Sequence, residues 1–119
     1  MKPLVIASAL LVITPTFAQD GTNSFATFAQ CAGLMESEHI GRNYSNYSSK
    51  EIYDLISTLE ESALITDKSK TIFDFYQIKN EGHQFYEENQ KNTHTIHSAM
   101  FNCLIILNDA INLVHGQSN

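Results

Sequence analysis

A chain of 119 residues, 43% hydrophobic and 17% charged, has the size and composition of one globular domain with a core of modest volume. Seven Lys and Arg stand against thirteen Asp and Glu, a net charge of −6. A chain this acidic, with no basic stripe, is repelled by phosphate backbones and anionic lipid surfaces, so nucleic acid is excluded as the expected partner.

The first segment addresses the chain. Met1-Lys2 is a short basic start, Leu4 to Ile13 is apolar, and Pro15 breaks the run before the small-x-small triplet Thr16-Phe17-Ala18. The run falls short of the ~20 residues that span a bilayer. It has the form of a cleaved signal peptide over residues 1–18, leaving one helical domain over residues 19–119. Without Lys2, six basic residues face thirteen acidic ones, a net charge of −7. No later segment reads as a membrane span, because Asn102, Asn108 and Asp109 flank the apolar Leu104 to Leu107.

Four helices follow, and no segment sustains the two-residue alternation of a strand. The first takes its cap from Thr22, Asn23 or Ser24, repeats Phe25, Phe28, Ala32, Met35 and His39 along one face, and ends near Gly41. The second opens on the capping box Ser48-Ser49-Lys50-Glu51 and turns Ile52, Leu55, Ile56, Leu59 and Ala63 inward.

The third runs from about Ser69 to Asn89 with Ile72, Phe75, Tyr76, Ile78 and Phe85 inward. Gly82 inside it costs about 1 kcal/mol relative to alanine, which predicts a kink or break. The fourth has the cleanest stripe, Ile96, Met100, Cys103, Leu107, Ala110 and Val114, with Gly116 as a stop, and is the expected central helix. Short linkers make sequential helices antiparallel, so the expected fold is an all-α antiparallel bundle of about four helices.

The two cysteines, both in the mature part of an exported chain, pair by parity and by redox environment. Cys31 and Cys103 each fall on or beside an apolar stripe, and their disulfide closes a loop of 72 sequence steps. Loop closure of that length removes chain entropy worth about 4 kcal/mol. A redox-active pair is disfavoured, for there is no C-x-x-C and no adjacent cation to lower a thiol pKa.

The bond also sets a register. With the first and fourth helices antiparallel, positions eight residues from each cysteine meet about 12 Å along the axis at 1.5 Å per residue, so His39 falls opposite Thr95, between His94 and His97. Glu36, Glu38, His39 and His97 could then collect at one end of the bundle as a metal or small-ligand site. A hydrogen-bonded histidine at the end of a core explains the same residues with fewer requirements. No second Glu-x-x-His completes a di-iron set, and no cofactor is expected.

No nucleophilic triad, glycine-rich phosphate loop or haem-attachment motif is legible, so nothing in the sequence supports an enzyme. The tandem "NYSNYS" over residues 43–48 contains two N-glycosylation acceptor triplets, which arise readily by chance in an Asn-rich chain. Tyr44 and Tyr47 in that loop are candidates to anchor a partner, since tyrosine brings large contact area at low entropic cost; packing back onto their own bundle is the competing reading.

The stretch "FAQCAGLMESEHI" resembles the start of a group of small exported bacterial proteins of unknown function. The matching residues are Phe28, Ala29, Cys31, Gly33, Glu38 and His39, and the C-terminal "FNCLIIL" fits their second cysteine. The resemblance implies export to the periplasm, helices and a disulfide, and it carries no activity. Together these readings predict a periplasmic or secreted binding module, of protein-interaction, accessory, inhibitor or immunity type. Its expected partner is another envelope or extracellular protein; the alternative is a metal or small-ligand binder at Glu38, His39 and His97.

Overall fold

A computed structural model describes residues 23–42 and 48–118. Residues 1–18, which the sequence reading expects to be a signal peptide, and Tyr44 and Tyr47 lie outside those residues. The described residues form four helices, α1 (Phe25–Arg42), α2 (Ser49–Thr66), α3 (Ile72–Asn89) and α4 (Thr93–Ser118), and no strand.

Each helix starts where a side chain can satisfy its free amides. Ser24 caps α1, its Oγ accepting from the Thr27 amide at 3.2 Å while Thr27 Oγ1 accepts from the Ser24 amide at 3.0 Å. The expected capping box opens α2: the Glu51 amide donates to Ser48 Oγ at 3.2 Å and the Ser48 amide to Glu51 Oε1 at 2.7 Å. A second box, Thr71 with Asp74, starts α3, and Asn92 Oδ1 accepts from the Thr95 amide at 3.2 Å to start α4. Gly116 does not stop the last helix, which continues to Ser118.

The central helix is α1 and not α4. Phe25, Phe28, Ala29, Cys31, Ala32, Leu34 and Met35 are all buried, several angular directions of one helix, and α1 packs against each of the other three. By contrast α4 buries one stripe, Ile96, Ala99, Cys103, Ile106, Leu107 and Ala110, and leaves its opposite face in solvent. A helix apolar on many sides belongs inside a bundle, whereas a clean stripe marks one covered on a single side.

Two contacts fix the direction of α4 against α1. Cys31 and Cys103 form the disulfide with their Cα atoms 5.4 Å apart, and eight residues before Cys31 the Asn23 side-chain Nδ2 donates to Asp109 Oδ2, six residues after Cys103, at 3.1 Å. The two helices are therefore antiparallel. Thr93–Gly116 of α4 is long and apolar enough to cross a membrane by length and composition alone, contrary to the sequence reading; here its buried stripe is part of the core.

The helix α3 runs unbroken through Gly82, where the sequence predicts a kink. Gly82 instead meets Gly33 at the α1–α3 crossing. A Cβ on Gly82 would lie 2.7 Å from the Leu34 amide nitrogen and 2.9 Å from Gly33 Cα, so the missing side chain is what lets the two backbones touch. Phe25 and Phe75 then meet edge to face, centroids 6.2 Å apart, on the N-terminal side of the crossing. Tyr86 is buried in place of Tyr76, which the sequence turns inward and which is 50% exposed.

Candidate functional site

The Gly33–Gly82 contact brings the next turn of α1 against α3, and a polar cluster forms there. Glu36 and Ser37 project from α1; Lys79 and His83, four apart on one face of α3, meet them. Lys79 Nζ lies 3.1 Å from Glu36 Oε1, and His83 Nε2 donates to the same oxygen at 2.9 Å. The other ring nitrogen, Nδ1, is hydrogen-bonded to Ser37 Oγ. The carboxylate can only accept, so Nε2 carries a proton, and Ser37, whose hydroxyl can donate or accept, completes the ring's pair of partners at Nδ1.

Burial on its own would raise the Glu36 pKa. The hydrogen bond and positive charge of Lys79, with smaller contributions from His83, outweigh it and hold the carboxyl below its ordinary value. Lys79 also stands over the Tyr76 ring at 5.7 Å and near Glu60 of α2, whose carboxyl burial pushes up while the lysine partly opposes. One ammonium thus serves carboxylates on two helices.

Hydroxyl, imidazole and carboxylate in this order are the side-chain parts of an acyl-transfer relay. Acyl transfer also needs amide donors aimed at a developing oxyanion, and the amides around Ser37 are interior to α1, where the helix ladder uses them. The arrangement clasps α1 to α3. Sequence reading misses it because Glu36 and His83 lie 47 residues apart on different helices, and no local motif joins them.

The residues of the expected end-of-bundle group each have their own surroundings. Glu36 faces α3, and Glu38, two residues or about 200° further round α1, is buried elsewhere. His39 Nε2 is 3.3 Å from Ser49 Oγ at the start of α2, and its buried Nδ1 has no hydrogen-bond partner among the described residues. His97 and His94 are exposed on α4. No three His, Cys, Asp or Glu side chains among the described residues are gathered so as to hold a metal ion.

The described surface carries two groups of large apolar side chains. Phe73, 76% exposed, and Tyr76 stand on the first turns of α3; Phe101, Leu104 and Ile105, at 65%, 46% and 48%, stand on the outer face of α4. Neither group is legible as exposed from periodicity, since apolar residues on a helix are read inward by default. The disulfide itself fits an oxidising compartment outside the cytoplasm. No family model, curated protein or solved structure matches the chain.

Proposed function

We propose that this chain is an exported binding module, periplasmic or secreted, that docks onto another protein of the envelope or extracellular space. The observation that carries the reading is Phe73, whose ring stands 76% exposed beside the half-exposed Tyr76 on a helix fixed in place by its capping box and by the Gly33–Gly82 contact. Aromatic side chains presented on a rigid element are the usual anchors of a protein interface, because they bury much area and lose little freedom on binding. The disulfide supports the same reading: a covalent bridge between α1 and α4 holds a small core together in an oxidising exterior.

The test is affinity capture from an envelope or extracellular fraction, comparing the native chain with Phe73→Asp and with Tyr76→Ser. Phe73 is exposed, so Phe73→Asp keeps the native melting temperature and the disulfide; Tyr76→Ser also loses the ring under Lys79, so its capture is compared at a temperature where its measured melting curve shows it folded. A protein retained by the native chain and lost with Phe73→Asp supports the reading. Equal recovery of every captured protein by all three chains removes it.

A further inference from the structure

The turn from α2 into α3 reverses the charge of an otherwise acidic chain. Residues 67–80 hold three of the seven basic residues, Lys68, Lys70 and Lys79, and two of the thirteen acidic ones, Asp67 and Asp74, a net positive stretch where the chain as a whole carries −6. Both carboxylates are turned back onto their own backbone. Asp67 Oδ1 accepts from the Ser69 amide at 3.1 Å and from Ser69 Oγ at 2.6 Å, and Asp74 Oδ2 accepts from the Thr71 amide at 2.8 Å and from Thr71 Oγ1 at 3.2 Å.

Of the three cations, Lys79 is held by Glu36 and by the Tyr76 ring. Lys68 and Lys70 are exposed, and neither ammonium has a carboxylate within 4 Å among the described residues. Lys70 acts on Asp67 through charge alone, more weakly than the Ser69 hydrogen bonds do.

These two cations border the ring that carries the docking reading. Lys70 immediately precedes the cap residue Thr71, Phe73 is three residues on and 76% exposed, and Tyr76 follows one turn later along α3. An aromatic anchor beside unpaired cations is complementary to an apolar pocket rimmed by carboxylates.

We infer that the protein docked at Phe73 presents an acidic segment, whose apolar pocket takes the Phe73 ring and whose Asp or Glu side chains meet Lys68 and Lys70. The inference rests on the Phe73 reading and adds the chemistry of the partner. An anionic lipid surface is the other occupant these residues admit. A bilayer spreads its negative charge over an extended plane, so the acidic residues around the patch would meet it as well. A protein can confine its carboxylates to the width of the Lys68–Tyr76 stretch, within the ~8 Å over which charges remain unscreened.

The test pans random phage-displayed peptides against the exported, oxidised chain. Peptides enriched on it carry Asp or Glu beside an apolar residue. The best of them, made synthetically, loses at least about tenfold in affinity for the double variant Lys68→Glu/Lys70→Glu and for Phe73→Asp. Lys50→Glu/Lys91→Glu makes the same change in net charge at the far ends of α2 and α3 and leaves the affinity within about twofold. Panning on Lys68→Glu/Lys70→Glu enriches Lys and Arg in place of Asp and Glu. Melting curves measured first fix a temperature at which every variant is folded.

Peptides that need Phe73, carry no acidic bias and bind Lys68→Glu/Lys70→Glu equally well overturn the inference and leave the Phe73 reading standing. Peptides indifferent to Phe73→Asp remove both. No enrichment over the bare support overturns the inference, while the capture experiment still decides the Phe73 reading. An equal loss with Lys50→Glu/Lys91→Glu overturns it in favour of net charge. Sedimentation of the native chain, and not of Lys68→Glu/Lys70→Glu, with vesicles of phosphatidylcholine and phosphatidylglycerol overturns it in favour of lipid.

Discussion

Gly33 and Gly82 touch backbone to backbone: a Cβ built on Gly33 would lie 3.1 Å from Gly82 Cα and closer still to the Lys79 carbonyl. The Phe25–Phe75 ring contact and the Glu36–His83 hydrogen bond flank this point on its two sides. The crossing distance at the glycines therefore sets whether both can form.

Gly82→Ala gains about 1 kcal/mol of helix propensity. It loses more, because the Cβ meets helix backbone on the Gln30 carbonyl and the Leu34 amide, which cannot turn aside as a side chain can. Overpacking of this kind leaves a net loss of about 2 kcal/mol or more, read as a lower urea midpoint. Gly116 supplies the control: a Cβ there meets nothing within 4 Å, so Gly116→Ala is neutral or slightly stabilising. Equal midpoints for Gly82→Ala and the native chain would sink the close-contact account.

The disulfide joins the buried central helix to the outer one, with both cysteines fully buried. Intact mass without reductant is lower by ~2 Da, the two hydrogens lost on bond formation. Replacing both cysteines by alanine removes about 4 kcal/mol of loop-closure stabilisation, with a further loss from the two small cavities. A double variant that melts where the native chain does would show that packing alone fixes the α1–α4 register.

Glu36 gives the bundle an acid-sensitive element. Its folded-state pKa lies below the ordinary value of 4.5, so the stability it contributes is fully present above that pH and is lost as pH falls through the depressed value. Glu36→Gln keeps the shape and removes the charge. Its melting temperature is lower than the native one at pH 7, and the difference shrinks steadily on acidification below pH 4.5. A gap of constant size from pH 7 to pH 2 would contradict the ion pair with Lys79.

The all-α class, the α2 capping box and the disulfide are legible in the sequence because each depends on local spacing or on parity. The central helix is not, for a physical reason. A helix covered on all sides, such as α1 with Phe28, Ala29, Cys31, Ala32 and Leu34 buried in succession, blurs the stripe that periodicity looks for. The clean stripe of α4 signals a peripheral position. Gly82 misleads in the same way: its propensity cost is local, whereas its reason, the approach of Gly33, lies 49 residues away. The Glu36–Ser37–His83 cluster depends on that same approach, and the register that sets Glu38, His39 and His97 towards one end of the bundle places residues along an axis without saying which way they turn.

Lys79 links the last prediction to that crossing. Burial raises the Glu60 carboxyl pKa and the lysine offsets only part of the rise, so ionised Glu60 costs stability at neutral pH. For a carboxyl with a raised folded-state pKa, that cost is full above the folded value and absent below the unfolded one. Glu60→Gln is therefore more stable than the native chain at pH 7, by a margin that closes as pH falls towards 4.5. In a Lys79→Met background the margin widens, because the ammonium no longer opposes the burial of Glu60, while the background itself loses about 2 kcal/mol from stranding Glu36. A double-mutant cycle on Glu60 and Lys79 at pH 7 measures the coupling directly. Zero coupling, with Glu60→Gln no more stable than the native chain, would mean that Lys79 serves Glu36 alone.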